Sequence, residues 1–384
     1  MKIVIIGPVY PFRGGIAHHS TLLAKALRRA NHDVKIISFK QQYPGWLYPG
    51  SSDRDPSSQP LNIDATYTLE PLAPWTWMRT ARDIIHQAPD LVIVAWWTTF
   101  WAPAFAWLGT RLSHAKINQI YLIHNIYPHE QRFFDRFLVS LALRQGQGFL
   151  LQAENEREKL IKLITKPVPI VNCPHPAYDF FIQKKLNKTE ARQKLGISND
   201  KPLLLFFGVV RPYKGLPFLL EALSEIVRKG RPIHLMIAGE FWEDVQKYEL
   251  MMDRLGVRNQ VTIDNRYIPN EEVGIYFSAA DLFVAPYIEA SQSGAVKIAL
   301  AFRLPMVVTD ILIDELLQKK GKIVQVVPKG NSLALAKAIE TVLDQGSGDE
   351  AAEEQSVGEE DAWADMVKAV EQIEALTKAP QAEE

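Results

Sequence analysis

Cysteine is nearly absent from this sequence. Cys173 is the one cysteine among 384 residues, which excludes an internal disulfide and leaves no argument for a secreted protein. Charge of one sign is not in excess either. The formal net charge is −1, so no overall field recruits nucleic acid, and any anion site must be local. The opening residues, MKIVIIGPVYPF, are broken by proline too early for a signal peptide and predict a buried strand.

Common nucleotide and metal signatures are missing as well. The sequence has no GxxxxGK[ST] P-loop, no GxGxxG after a strand, and no His, Cys and Asp cluster with metal-ligand spacing. The DRD of Asp53–Asp55 resembles a metal motif, but no strand precedes it, so we expect a solvated loop. We therefore predict a protein without a bound metal or cofactor.

One long uncharged segment stands out from an otherwise ordinary composition. Hydrophobic residues are 47% and charged residues 23%, as in a soluble globular protein of two domains. Leu91–Thr110 has no charge over twenty residues, enough to cross a bilayer. However, DLVIVAWW predicts a buried strand and Pro103 opens a separate helix. We expect core here, with two alternatives: a span, or a Trp-rich face against a membrane surface or lipid-linked acceptor.

The first half of the chain alternates strand, glycine turn and helix. The helix STLLAKALRR follows PFRGG, with Ser20 as a possible cap and Asn31 as its end. Residues 41–59 are rich in Pro, Gly and Ser and predict a long loop. The predicted strands are KIVIIG, DVKIISF, DLVIVAWW, INQIYLIHN, GFLLQ and VPIVN. This order predicts a Rossmann-like, doubly wound parallel sheet over residues 1–177.

After Pro174 and Pro176 the alternation begins again. A polar helix, KTEARQKLG, leads into strands PLLLFFG, IHLMIAGE, QVTIDN, DLFVAP and LPMVVTD, which predict a second Rossmann-like domain over 178–345. Residues 346–360 are acidic and aliphatic-poor, and predict a flexible linker. A final helix at about 361–378 carries an apolar stripe, which we expect to pack on the first domain. The stripe is Trp363, Val367, Val370 and Ile373.

Two such domains predict a cleft, with ligands beyond the carboxyl ends of the strands. In the first domain, Gly14 and Gly15 would let backbone approach a ligand, and Arg13 is either a solvated cation or a ligand contact. His124 and Asn125 follow a central strand at the same edge, so we assign His124 to the site.

The second domain carries the residues suited to an anion. Arg211 and Lys214 follow its first strand, and Gly239 and Glu240 follow another. The helix at Ser293–Gly294 opens with small residues, so its free N–H groups form an anion seat that also includes Ser291 and Gln292. Together these groups suit a diphosphate neutralised by protein cations, which is expected of a departing nucleoside diphosphate.

The motifs resemble those of the retaining GT-B nucleotide-sugar glycosyltransferases, glycosyltransferase family 4, over nearly the whole chain. The similar segments are GPVYPFRGGIAHHS, HNIYPHE, CPHPAYDFF, FGVVRPYKGL and YIEASQSGAVKIALAFRLPMVVTD. The resemblance implies metal-independent, retaining transfer from a nucleotide sugar to a glycan or glycolipid in cell-envelope polysaccharide assembly, in the cytoplasm or at the inner membrane face. It implies that Arg211 and Lys214 bind the diphosphate, that Gly15 approaches it, and that His124 lies near the reacting sugar.

The sequence departs from the family at one place. Most members have two glutamates eight positions apart, the second contacting the ribose, whereas this chain has Lys297 or Ile298 there, depending on the alignment. The first is Glu289 or, by the other count, Ser291, and we assign Glu289 to catalysis. Two other functions stay open. One is an epimerase or hydrolase using Glu130, Glu240 or Glu289, and the other is a non-catalytic scaffold.

Overall fold

The computed structural model describes residues 1–48, 50–128, 133–164, 166–176, 178–290, 293–312, 324–345 and 359–378. The chain divides into two compact units. Unit 1 comprises Met1–Asp55, Pro60–Pro176 and Val357–Glu384, and unit 2 comprises Pro56–Gln59 and Ala177–Ser356. Most of the predicted acidic linker, 346–358, lies outside the described residues, whereas Glu359 and Glu360 are helical rather than part of a linker.

Each unit is built on a parallel sheet, as the alternating pattern predicted. The strands of unit 1 are β1 (Lys2–Ile6), β2 (Asp33–Phe39), β3 (Thr66–Leu69), β4 (Leu91–Trp96), β5 (Gln119–Ile123), β6 (Gly148–Leu151) and β7 (Ile170–Asn172). Those of unit 2 are β8 (Leu203–Phe207), β9 (His234–Ala238), β10 (Val261–Asp264), β11 (Leu282–Ala285), β12 (Met306–Thr309) and β13 (Val324–Val327). The sheet orders are β3-β2-β1-β4-β5-β6-β7 and β10-β9-β8-β11-β12-β13. The central strands are continuous apolar runs because helices cover both faces.

The helices of the described residues lie between these strands or follow the last of them. In chain order they are α1 (Gly15–Arg29), α2 (Pro74–Gln87), α3 (Ala102–His114), α4 (Asp135–Leu143), α5 (Arg157–Ile161), α6 (Lys188–Leu195), α7 (Leu216–Arg228), α8 (Val245–Leu255), α9 (Asn270–Ala279), α10 (Gly294–Ala301), α11 (Ser332–Gln345) and α12 (Glu359–Lys378).

The start of α1 differs from the sequence-based expectation. The helix begins at Gly15 with Gly14 as its N-cap, so Ser20 is a buried residue inside the helix and not its cap. At the other end, Asn31 adopts a left-handed conformation (φ 63°) just after the helix, as expected of a terminating asparagine.

The uncharged segment 91–110 is core. It forms β4, a 3₁₀ turn and most of α3, and both Trp96 and Trp101 are buried. Trp97, Phe100 and Trp107 are partly buried against the same core. Within the described part of the chain, no helix combines the length and apolar character needed to cross a membrane.

The DRD loop is less solvated than its sequence suggests. The backbone N–H of Arg13 donates to the carbonyl of Asp53 over 3.0 Å. The Asp55 side chain is 3% exposed and lies 3.9 Å from the Nε2 of His18. The solvated-loop prediction is therefore wrong for Asp55, because backbone hydrogen bonds hold the segment against Pro11 and Arg13, just before the glycine pair.

Helix α12 lies in unit 1, although it is the last element of the chain. It packs on α1, β6 and β7. Its buried side chains repeat at helical spacing and include Trp363, Val367, Val370 and Ile373. The terminal helix thus supplies part of the core of the first unit.

Candidate active site

The loop after β8 is locked to the loop after β11 within unit 2. The backbone N–H of Ile288 donates to the carbonyl of Tyr213 over 2.8 Å. Gly215 is left-handed (φ 69°), and a Cβ there would lie 1.9 Å from the carbonyl oxygen of Pro286. Only glycine therefore allows this approach, which brings the Arg211–Lys214 turn beside the start of the loop that joins β11 to α10.

Lys214 is buried at the carboxyl end of β8. Its residue is 8% exposed, and its Nζ lies 5.4 Å from the centroid of the Tyr287 ring. Among the described residues this ammonium makes one hydrogen bond, a long one of 3.5 Å to the carbonyl of Phe207. A Cβ at Gly208 would lie 2.9 Å from Nζ, so the glycine leaves the ammonium its space. Burial lowers the pKa of Lys214, because desolvation disfavours the charged form.

Tyr287 connects Lys214 to the first turn of α10. Its hydroxyl lies 3.2 Å from the Oγ of Ser293, and that Oγ also accepts a hydrogen bond from the N–H of Val296. Burial raises the pKa of Tyr287 to about 12. The structure therefore places Lys214 and Ser293 on either side of Tyr287, and Gly294 directly follows Ser293. Sequence reasoning missed Tyr287, although its place just after the strand LFVA was a usable signal.

Arg211 lies in a second group at the same sheet edge. Its guanidinium is 5.3 Å from the Trp242 ring and 5.7 Å from the Tyr213 ring. Glu240 is 8% exposed. Its carboxylate accepts a hydrogen bond of 2.8 Å from the indole N–H of Trp242. Gly239 directly follows β9. Glu240 thus belongs to the surroundings of Trp242, which sequence reasoning did not single out.

The loop that joins β11 to α10 is only partly described. Glu289 is exposed, and its N–H makes a long contact of 3.5 Å with the carbonyl of Tyr213. Ser291 and Gln292 lie outside the described residues, as does Glu130 in the other unit. Lys297 and Ile298, at the place of the second family glutamate, are buried residues of α10.

In unit 1 the glycine pair begins α1, with Gly14 as N-cap and Gly15 as the first helical residue. Arg13 is tied to Tyr48: its Nε donates to the Tyr48 hydroxyl over 3.1 Å, and its guanidinium lies 5.6 Å from the ring centroid. The guanidinium is therefore partly engaged within the unit. Its role towards a ligand stays a prediction.

His124 follows β5 and is held by its own backbone. Its N–H donates to the carbonyl of Trp96 over 3.0 Å, and the next loop is tied by a 2.8 Å bond from the N–H of Ile126 to the carboxylate of Glu156. The residue is 9% exposed. Burial lowers the pKa of His124 to about 4, partly offset by a side-chain hydrogen bond with Gln152. At neutral pH the imidazole is uncharged, able to donate from one nitrogen and accept at the other.

No group of three or more His, Cys, Asp or Glu side chains in the described residues is arranged to hold a metal ion. Separately from any metal, Arg211 and Lys214 follow β8, and the N–H groups at the start of α10 lie at the positive end of that helix dipole.

Comparison with known proteins gives two family matches. Residues 14–174 match the glycosyl transferase 4-like domain, and residues 201–345 match the glycosyl transferases group 1. The chain is 24% identical over 238 residues to an alpha-D-kanosaminyltransferase of Streptomyces kanamyceticus, covering 59% of this chain and 60% of that protein. It is 25% identical over 298 residues to a D-inositol 3-phosphate glycosyltransferase of Thermobifida fusca, covering 71% and 67%.

A similar solved structure is that of the Anabaena protein HepE in complex with UDP. The TM-score is 0.65 at 15% identity, covering 98% of this chain and 94% of the other. At that identity the likeness concerns the fold, which is the GT-B fold of two Rossmann-like units. The two family matches span most of the chain and reach both sheet edges described above, and the chain belongs to the group 1 glycosyltransferases of the GT-B type.

Proposed function

We propose that this protein transfers a sugar from a nucleoside diphosphate sugar to a glycan or glycolipid acceptor, with retention of anomeric configuration and without a metal. The observation that carries the proposal is the Lys214 ammonium. It is buried, it makes one long hydrogen bond among the described residues, and it lies beside Tyr287 and the start of α10. A buried cation with so little internal compensation favours an anionic ligand.

A diphosphate fits this arrangement chemically. Its charge grows when the bond to the sugar breaks, and preorganised cations and N–H groups stabilise that charge as it develops. Lys214 and Arg211 supply the positive charge, and the first turn of α10 supplies N–H groups. These protein groups take the role that a divalent metal has in other transferases, which supports metal independence.

His124 and Glu289 would act on the sugar. The neutral imidazole of His124 can hydrogen-bond a sugar hydroxyl or the leaving oxygen without adding charge. Glu289 is exposed, so its carboxylate can accept from sugar hydroxyls. Retention is tested by NMR of the first-formed product, since the anomeric coupling constant of the transferred sugar reports its configuration. A product of inverted configuration would refute the retaining mechanism.

The donor is tested by thermal stabilisation with UDP, GDP, ADP, dTDP and CMP, together with the corresponding monophosphates. UDP comes first because a relative in fold binds it. A ligand at 100 times its dissociation constant adds about 2.7 kcal/mol to the stability of the folded state. We expect one diphosphate to give the largest shift, its monophosphate a smaller one, and EDTA no effect. Equal shifts for mono- and diphosphate, or no shift with any nucleotide, would refute the proposed donor site. A shift abolished by EDTA and restored by Mg²⁺ would refute metal independence.

We also propose a peripheral contact with the inner face of a membrane through α2 and α4. Both helices pack on α3, so their outer side chains belong to one helical layer. Exposed apolar residues there are Trp75 (65%) and Met78 (49%) on α2, and Phe137 (68%) on α4. The aromatic surface therefore differs from the Trp-rich strand considered from the sequence, whose Trp96 is buried.

Exposed arginines accompany these apolar side chains: Arg79 and Arg82 lie on α2 and Arg136 lies on α4. Mixed apolar and basic faces bind anionic lipid surfaces. The protein should therefore float with phosphatidylglycerol vesicles more than with phosphatidylcholine vesicles, and high salt should release part of it. The double substitution Trp75→Glu and Phe137→Glu should reduce flotation, whereas Leu250→Glu, at an exposed position on α8, should not. Absence of flotation with both lipids would refute the contact.

A further inference from the structure

A buried histidine cluster surrounds His124 in unit 1. The cluster consists of His19, His124 and His175. The His19 ring lies at its centre, with its centroid 4.9 Å from that of His124 and 4.8 Å from that of His175. His19 is fully buried and His175 is 6% exposed. The proposed function uses His124 alone, so the other polar rings need their own account.

Five separate elements of the chain supply this cluster and the residues around it. His19 lies within α1, His124 follows β5, and His175 follows β7. Gln152 directly follows β6 and is 1% exposed. The Trp363 ring of α12 closes the other side, 5.1 Å from the His19 centroid. The His19 side of the cluster is therefore covered by the last helix of the chain.

Gln152 lies beside the rings of His19 and His124. Its side-chain Nε2 donates to the Nε2 of His19, and the His124 ring lies against the same His19 ring. Gln152 also acts on the pKa of His124 through a side-chain hydrogen bond. The Nδ1 of His19 finds no hydrogen-bond partner among the described residues. His175 is held separately, by a 2.7 Å contact of its Nδ1 with the carbonyl of Pro176. One amide thus joins a ring inside the core to the ring that ends β5.

Packing alone does not explain why polar side chains occupy this part of the core. Burying an imidazole and an amide costs free energy that an apolar side chain of similar volume would not, even when they bond each other. What the imidazole of His19 and the amide of Gln152 add is a directional hydrogen bond. A hydrogen bond to one ring nitrogen decides which nitrogen carries the proton and fixes the plane of the ring.

We propose that His19 and Gln152 are positioning residues for His124. The Gln152 amide, held in place by His19, fixes the tautomer and orientation of the His124 ring, so that its other nitrogen always presents the same hydrogen-bonding character to the sugar. Neither residue touches the substrate. The inference rests on the proposed function for its catalytic consequence, whereas the network itself can be tested without a substrate.

The first test is NMR of the ring nitrogens in protein labelled with ¹⁵N-histidine and free of nucleotide. His124 should show one protonated and one unprotonated nitrogen, the signature of a single neutral tautomer. Gln152→Met keeps the length of the side chain but removes its hydrogen bonds, so the two signals should move towards their mean as tautomers mix. Gln246→Met, at an exposed position on α8, is the control and should leave the His124 signals unchanged. Unchanged His124 signals in Gln152→Met would overturn the proposal.

The second test is kinetic, with the nucleotide sugar identified by the thermal-shift panel. Misplacing one hydrogen-bonding group should lower kcat about tenfold or more in Gln152→Met, while KM for the donor changes less than about threefold. His19→Leu should behave in the same way, and His19→Gln, which keeps a polar group within reach of Gln152, should recover most of kcat. Melting midpoints verify that each variant is folded. If His19→Leu does not fold, the comparison is made with His19→Gln alone.

The two tests have separate outcomes. If no nucleotide sugar is turned over, the proposed function fails, and the NMR result still decides whether the network sets the His124 tautomer. If the tautomer mixes but kcat stays unchanged, His19 and Gln152 do not position His124 for catalysis. If KM rises with unchanged kcat, the network serves binding instead, and the proposal is likewise wrong.

Discussion

The two units share a parallel Rossmann-like sheet but have opposite chemistry at the strand ends. Unit 1 buries neutral groups there, with His19 and Gln152 beside His124. Unit 2 buries a cation, Lys214, against the Tyr287 ring, and places Arg211 beside Trp242. The same fold therefore presents an uncharged hydrogen-bonding edge in one unit and an edge with two cations in the other.

One physical cause acts on both edges. Desolvation lowers the pKa of His124 from 6.5 to about 4, and it also lowers the pKa of Lys214 from 10.5. Since histidine starts below neutrality, burial makes His124 a dependable neutral group. Lysine starts far above it, and a bound phosphate anion would further favour its charged form. The residue type, more than the degree of burial, thus decides the chemistry of each edge.

The largest effect expected from this contrast is acid destabilisation of unit 1. An unfolded histidine takes up its proton near pH 6.5, whereas folded His124 does so only near pH 4. Between these values the unfolded state binds more protons, so stability present above pH 6.5 is lost as the pH falls towards 4, by about 3 kcal/mol for this one group. Urea unfolding followed from pH 8 to pH 4.5 measures the loss.

Replacing the titrating group should flatten that profile. We expect His124→Asn to lose less stability over the same pH range, although buried His19 continues to contribute because its pKa is also lowered. His114→Asn, at an exposed position on α3, should reproduce the native profile. A native protein equally stable at pH 8 and pH 4.5 would show that the buried imidazole is readily protonated in place.

The next largest effect concerns Lys214. Lys214→Met removes the ammonium but keeps an unbranched side chain of similar length, and should weaken diphosphate binding by about 1.5–3 kcal/mol, the value of a charged hydrogen bond. That is about a 10- to 150-fold change in dissociation constant, measurable by calorimetry with the best nucleotide of the panel. Lys337→Met, exposed on α11, is the matched control. Unchanged affinity in Lys214→Met would make the cation structural, and the acid profile of unit 1 should not respond to this change.

Much of this architecture can be predicted from the sequence, because long apolar runs separated by glycine turns indicate buried parallel strands. β1, β4, β5 and β8 are such runs. The edge strands β3 and β13 and the helix α2 were not predicted. Edge strands face solvent on one side, so β3 (TYTL) carries polar residues and lacks the apolar signal.

The sequence indicated which charged and polar residues to consider at the candidate site, but it did not indicate which side chains contact them. Arg211, Lys214 and Ser293 follow from their places at strand ends and a helix start. Tyr287, Trp242 and the His19–Gln152 contact depend on which side chains meet across separate elements. Those meetings arise from packing between residues far apart in the chain, which local pattern does not encode. The roles assigned to individual residues stay predictions.

The return of α12 to unit 1 has a consequence for synthesis. Strands β6 and β7 of the first unit are translated long before the helix that covers them, with nearly all of unit 2 between. Roughly 180 residues separate Pro176 from Glu359, which at about 5–20 residues per second is a delay of about 10–40 s. During that time the face awaiting Trp363 and Ile373 is exposed on the nascent chain. The first unit to emerge from the ribosome is therefore the last to be completed. Until α12 is synthesised, its uncovered apolar face is a surface that chaperones can bind.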